Sequence, residues 1–424
     1  MVSGSDSLAD AGREAGGRPP APLAAGSDSG AVSSERAAGS APEAPPWLVK
    51  RLLAAGGAVP FRTFMEWALH DPVHGAYGAG RLRIGPRGDF ATSPSLGASF
   101  AGLLAPQLVD WLLELGPGPL ALVETGPGEG ELALQLATAL AAGWPELAAR
   151  LELLLVEPNP GMEARQRRLL AAAPLPCRWL AWPDLAARPV RGVMLAHEVL
   201  DALAVERISW DGGMWCLQEV ALGADRGLEF RAGTALEPQA LEELAVLDLD
   251  AAASGLPSGW STELHSGCTP WLEAAGAGLI EGHLLVVDYA LEARRYYAPW
   301  RSAGTLLAYR QQRASPDPLL DPGHWDLTAH LCLESLERSA AATGWRWQGS
   351  CRQGQALLAL GLAQALHGLQ SPAHPQDLAG RLAAREALLR LVDPAGLGEF
   401  RWIALARGPE ATVEAAPPRF LQEP

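Results

Sequence analysis

The chain has 424 residues, 48% of them hydrophobic, and a formal net charge of -15, so it is long enough for one large elaborated domain or two to three smaller ones. The acidic balance argues against a nucleic-acid backbone as partner, which needs a basic surface, and tolerates an arginine-bearing protein substrate. Five cysteines (Cys177, Cys216, Cys268, Cys332, Cys351) form no CxxC pair and no apolar run approaches bilayer length, so no disulfide framework, zinc site or membrane span is expected.

Residues 1 to 45 are Ala, Gly, Ser and Pro with almost no large apolar side chains, a composition that predicts a disordered tail. Asp6, Asp10, Glu14, Asp28, Glu35 and Glu43 outnumber Arg13, Arg18 and Arg36, which favours a cytoplasmic bacterial protein over one with an organelle transit peptide. From 46 to 115 the pattern predicts an N-terminal helical segment. Two short helices, "PWLVKRLLAAGG" and "VPFRTFMEWALHDPVHGAYG", precede the strip "GDFATSP" and a long helix expected to begin at Ser93 as its cap, with Pro94 in the first turn. His70 and His74 straddle a proline turn without a metal-ligand set and read as structural.

From 116 to 424 apolar strands alternate with helices: "LALVET", "GELALQLATALAAGW", "LELLLVEP", "MEARQRRLLAAA", "RGVMLAHEVLDAL" and "GHLLVVDYA". That alternation predicts an α/β doubly wound, Rossmann-like parallel sheet with its ligand at the strand carboxyl ends. Two insertions interrupt it, about 205–267 with a hairpin at Asp211-Gly212-Gly213, and about 291–335. Near the end, "WRWQGSCRQGQALLALGL" reads as two final strands and "AGRLAAREALLRLVDP" as a helix.

The stretch "LVETGPGEGEL" (122–132) places Gly126, Gly128 and Gly130 between a strand and a helix. A dinucleotide loop spaces its glycines G-x-G-x-x-G, and here Glu131 occupies the position of the third. The carboxylates of Glu124, Glu129 and Glu131 would also repel a pyrophosphate. S-adenosylmethionine is cationic and carries no phosphate. For it, Glu124 is expected to bind the methionine amine, Gly126, Pro127, Gly128 and Gly130 to let backbone approach, and Glu157 of "LLLVEPNP" to accept from the ribose hydroxyls. An acid at that strand end would suit NAD equally, so Glu157 alone does not separate the two.

In order along the chain, "GDFATSPSLGASFAGLLA", "LVETGPGEGEL", "AHEVLDALAV", "VVDYA" and "DPGHWDLTAHL" resemble the MidA-like family of class I methyltransferases, from about Arg62 to Gly361. The resemblance implies a class I methyltransferase sheet with an inserted substrate-side subdomain. It also implies S-adenosylmethionine as cofactor and methylation of an arginine in a protein partner, for which a subunit of a complex I-type dehydrogenase is the expected class. A non-catalytic, cofactor-binding assembly chaperone is the rival expectation. The family usually shows "TSPE" where this chain has Ser95, "NE" where it has His197-Glu198, "DALPV" where it has Ala204, and "DYG" where it has Ala290.

A guanidinium must have its charge localised before one nitrogen can attack, and paired carboxylates can do that. Glu198 and Asp201 of "HEVLDAL" are the catalytic candidates; Glu198 could instead contact cofactor and Asp201 cap a helix. Asp89, Thr92, Ser93 and His197 are expected beside the cofactor. His324, Asp326 and Thr328 are expected on the substrate side, although a turn with an N-capped helix would also explain the last two. No metal ligands are expected.

Overall fold

The computed structural model describes residues 43–249, 255–371, 376–409 and 416–423. The expected disordered tail lies outside the described residues up to position 42.

Seven strands build the central sheet: β1 (Leu120–Thr125), β2 (Leu151–Val156), β3 (Cys177–Leu180), β4 (Val190–His197), β5 (Leu279–Asp288), β6 (Arg346–Arg352) and β7 (Arg401–Arg407), in the spatial order 3-2-1-4-5-7-6. β1 to β5 pair in parallel, and β7 runs antiparallel to both β5 and β6. The winding reverses between β1 and β4, which opens a crevice at their carboxyl ends.

Side chains alternate across each strand, and both faces are covered. Leu153 and Leu155 face a layer holding helices α1 (Ser99–Glu114) and α2 (Glu131–Gly143), while Leu154 and Val156 face α4 (Cys268–Gly278) and α5 (Leu333–Ala342); α3 (Pro160–Leu169) follows β2. Leu153, Leu154 and Leu155 are all fully buried, and each such leucine contributes about 1.5–3 kcal/mol on leaving water. This two-sided burial explains why the strands read as continuous apolar runs.

The first part of the expected segment 46–115, up to Pro94, joins the two insertions in one cap, whereas its last helix, α1, packs under the central sheet. Ala58–Pro60 joins Glu206–Trp210, Trp215–Leu222, Leu228–Ala235 and Ser261–Leu264 in a five-stranded sheet, with the hairpin turning where Asp211 to Gly213 were expected to turn it. Leu307–Arg310, Arg313–Ser315 and Asp326–Thr328 make a smaller sheet, and its Ala308 and Leu327 share a core with the helix Phe61–His70.

Three expectations need correcting. Ser93 does not cap the long helix: Pro94–Leu96 is a separate 3-10 turn, α1 begins at Ser99, and Ser93 has helical torsions with no side-chain cap bond. "WRWQGSCRQGQALLALGL" supplies one strand, β6, followed by the helix Gln353–Ala359; the last strand is β7, "RWIALAR". The sheet is mixed rather than wholly parallel, because β7 enters from the opposite end. Among the described residues no helix is long and apolar enough to cross a membrane.

Candidate active site

A cavity of about 470 Å³ lies over the carboxyl ends of β1, β2 and β4, between the sheet and the cap. Glu124, Thr125, Gly126, Pro127, Gly128 and Glu157 form its sheet side, and Ile84, Phe90, Thr92 and Pro94 close it from the cap. Gly126 and Gly128 both have φ +56. A Cβ at Gly128 would stand 2.9 Å from Ile84 Cδ1, and one at Gly126 would stand 2.9 Å from Val199 Cγ2, so neither position has room for a side chain. Gly130 (φ +90) is set back from the cavity wall and starts α2.

Glu157 is fully engaged: Oε1 accepts from the Asn159 N–H (2.8 Å) and Nδ2 (2.9 Å), and Oε2 from Gln166 Nε2 (2.8 Å). Gln166 also donates to the Gly128 carbonyl (2.9 Å) and accepts from Trp179 Nε1 (3.0 Å), so it ties the glycine loop to the acid of the next strand. Glu124 is different. It is buried, Oε2 meets no donor among the described residues, and burial pushes its carboxyl up to about 8 despite a bond from the Ala133 N–H. A cation beside it would restore the charge that burial suppresses. Glu129 is spent on the scaffold, because Arg165 Nε donates to it (2.8 Å) while the Arg165 Nη atoms hold the carbonyls of Gly80 (2.9 Å) and Leu82 (3.0 Å).

β4 ends at His197, and Glu198 follows with φ +54, a left-handed conformation that costs a non-glycine residue about 1–3 kcal/mol and persists only where its surroundings enforce it. Asp288, at the end of β5, supplies that enforcement. Its Oδ2 accepts from the N–H groups of Val199 (3.2 Å), Leu200 (2.9 Å) and Asp201 (3.2 Å), and its Oδ1 from Tyr289 N–H (2.8 Å). Burial still pushes Asp288 up to about 7.

Glu198 and Asp201 thereby enter a narrow chamber of about 20 Å³ with Asp326, Tyr77, Phe90, Tyr289, Tyr309 and Thr328. The chamber adjoins the cofactor-sized cavity, with which it shares Tyr77, Phe90 and Glu198. Burial is the main cause that holds Glu198 and Asp201 well above the carboxylate range, with neighbouring Asp288 and Asp326 adding to it. Asp326 is pushed up to about 7 although Tyr77 donates to it. Glu198 Oε1 and Asp326 Oδ1 find no donor among the described residues. Three carboxyl groups face one space, and among the described residues no lysine or arginine lines it. Among the described residues no cluster of metal-ligating side chains occurs.

The fate of the other candidates is mixed. Thr92 lines the large cavity. His197 also lines it, packs edge-on to Phe100 (5.3 Å) and is held down to about 4 by burial, so its 3.5 Å contact from Nδ1 to Glu198 Oε1 is not an ion pair at neutral pH. Thr328 lines the chamber. Ser93 reaches Glu198 through its backbone N–H alone, its hydroxyl being paired with Gln353.

Asp89 and His324 lie elsewhere, on an outer groove with Arg81, Arg83, Arg87 and Arg310. Asp89 is engaged in holding the Arg83 and Gln311 N–H groups, and His324, whose side chain is 39% exposed, sits 3.1 Å from Asp321. Neither lines the cofactor-sized cavity or the chamber. Tyr77, Asp288, Tyr289, Tyr309 and Gln166 were not anticipated. The strand end at Asp288, matching those at Glu124 and Glu157, was the one available signal.

Comparisons with known proteins agree with this arrangement. The model of a family of S-adenosyl-L-methionine-dependent methyltransferases matches residues 103–351. The Drosophila melanogaster protein named protein arginine methyltransferase NDUFAF7 homolog, mitochondrial, is 27% identical over 390 residues, covering 85% of each chain. The Xenopus tropicalis protein arginine methyltransferase NDUFAF7 is 26% identical over 205 residues, covering 43% of this chain and 46% of its own. A crystal structure of a Burkholderia thailandensis protein bound to S-adenosyl-homocysteine superposes with a TM-score of 0.78 at 29% identity, covering 91% of this chain and 98% of that one. The chain belongs to the MidA-like family of S-adenosyl-L-methionine-dependent methyltransferases, and S-adenosyl-L-methionine is its cofactor.

Proposed function

We propose that the protein methylates arginine side chains of a protein partner. The observation that carries this reading is the chamber in which Glu198, Asp201 and Asp326 meet beside the cofactor cavity with no lysine or arginine among the described residues lining it. A guanidinium supplies the balancing charge, and its planar fork of donors suits several carboxylate oxygens at once. The Drosophila and Xenopus relatives, both named protein arginine methyltransferases, support the same acceptor.

Bound S-adenosyl-L-methionine supplies an electrophilic methyl group. We assign the Glu124 carboxylate to the cofactor's ammonium, Glu157 to its ribose hydroxyls, and Gly126, Pro127 and Gly128 to close backbone approach. Glu198 holds the guanidinium and concentrates its charge on the nitrogens facing away from the methyl group, so the remaining nitrogen offers a lone pair. As its new N–C bond formed, the methyl–sulfur bond would break with its electron pair left on sulfur, S-adenosyl-homocysteine would leave, and Glu198 or Asp201 would accept the proton that the nitrogen loses. Asp288 is a positioning residue that fixes the loop carrying both. The partner class the resemblance implies is a subunit of a complex I-type dehydrogenase.

The test is incubation of the full chain with methyl-labelled cofactor and a protein extract, followed by hydrolysis and identification of the labelled amino acid. N-methylarginine is the expected product. Label in another residue would overturn the arginine reading, and cofactor binding without any label would favour the assembly chaperone.

A further inference from the structure

Besides the cofactor cavity, a second space reaches the carboxylates. A second cavity, of about 160 Å³, shares Asp201, Tyr289, Tyr309 and Thr328 with the chamber and extends to walls that include Arg295, Arg301 and Arg401. Cofactor cavity, chamber and second cavity thus run in series, with the three carboxylates in the middle. The chamber as it stands holds about one water molecule, so a guanidinium enters only as the tyrosine walls part.

The outer part of this passage carries three arginines in a chain of net charge -15, with Glu292 beside Arg401 and Arg295, and Glu263 near Arg301, offsetting part of that charge. Arg401 is paired with Glu292, and Glu399 with Arg352 (3.3 Å). Arg301 donates from Nε to the Arg295 carbonyl (3.3 Å), which holds the two arginines together at the mouth. Between them in sequence stands Trp300, 73% exposed. Trp300 directly precedes Arg301, which lines the cavity, and a large aromatic side chain left in water is the type of residue that anchors protein partners.

We infer that the acceptor reaches the chamber through this second cavity, as a polypeptide segment whose target arginine is flanked by acidic residues, docking on Trp300, Arg295 and Arg301. The inference rests on the arginine reading above and adds its route and sequence context. Two arginines at the mouth repel an incoming guanidinium unless the same segment brings carboxylates to neutralise them. Once past them, the guanidinium meets Asp201, Asp326 and Glu198. Cofactor and acceptor then approach the reacting centre from opposite ends, as an in-line displacement requires.

The experiment uses the full chain, methyl-labelled cofactor and two peptides of equal length whose single arginine is flanked by aspartates or by lysines. We expect kcat/KM about tenfold higher for the aspartate peptide, mostly through KM, in line with the steering and selection that complementary charges give. Arg295→Glu should reverse that preference and Trp300→Ala should raise KM for both peptides. Both side chains are exposed, so the variants keep the fold, and cofactor affinity should not change. Equal methylation of the two peptides, indifferent to Arg295→Glu, would overturn the docking inference while leaving arginine transfer intact. Methylation of neither would retract the arginine reading and this inference with it.

Discussion

Glu157 and Glu198 are both buried acids that follow a strand of the same sheet, and the protein treats them in opposite ways. Glu157 accepts three hydrogen bonds from Asn159 and Gln166, so its orientation is fixed before any ligand arrives. Glu198 keeps an oxygen without a donor, sits on strained backbone and faces two further acids. A group that meets neutral hydroxyls can be pre-satisfied, whereas a group that must bind a cation is left short of positive charge until its ligand supplies it. Glu124, which we assign to the cofactor's ammonium, follows the second rule: it is buried and its Oε2 meets no donor among the described residues.

Breaking the cofactor half should give the largest effect in binding. Gly128→Val places a branched side chain at φ +56 against Ile84, and we expect cofactor affinity measured by calorimetry to fall more than about 100-fold. Glu124→Gln should cost about tenfold in affinity, the scale of one charge-assisted hydrogen bond.

The same glutamate sharpens the contrast through pH. Its carboxyl holds a proton in the folded, ligand-free protein up to about pH 8 and loses it near the ordinary 4.5 when unfolded. The folded state therefore binds the extra proton between those values, and this contribution to stability falls as pH rises through that window. A cation beside Glu124 removes the penalty. The rise in melting temperature given by S-adenosyl-homocysteine should accordingly be larger at about pH 8.5 than at about pH 6, and Glu124→Gln should flatten the difference. On the acceptor side, burial and the neighbouring acids Asp288 and Asp326 hold Glu198 well above the carboxylate range, so the transfer rate should rise with pH as Glu198 ionises, and Glu198→Gln should remove that dependence.

Smaller effects are expected from the scaffold. Arg165→Ala releases Gly80, Leu82 and Glu129 and should lower unfolding free energy by about 1–3 kcal/mol in a denaturant titration. His197→Asn, which restores the family's usual residue beside a neutral imidazole, should change turnover less than about threefold, since no charge is lost.

Legibility in the sequence followed the same division. The cofactor half is local: Glu124 to Glu131 is one strand, one loop and one helix start, and Glu157 ends the next strand, so spacing alone exposed it. The chamber is assembled from Tyr77, Glu198, Asp201, Tyr289, Tyr309 and Asp326, which five separate segments bring together only on folding. No periodicity announces such a meeting, and no motif singles out Tyr77 or Tyr309. The position of Asp89 outside the cavity has a related cause. It lies one residue before Phe90, which does line the cavity, yet its carboxylate turns outward to bind backbone N–H groups of Arg83 and Gln311. β7 was missed because "RWIALAR" is a single apolar stretch of seven residues without a flanking helix pattern, and strand and buried helix cannot be told apart at that length.

The most direct test is Glu198→Gln, assayed in one preparation for cofactor affinity and for methylarginine formation. The substitution keeps the shape of the side chain and removes the carboxylate that would hold the guanidinium. We expect affinity within about threefold of the wild type and transfer reduced by about two orders of magnitude, the scale seen when one preorganised electrostatic group is lost. Wild-type transfer with unchanged affinity would contradict the assignment of the acid chamber to the acceptor.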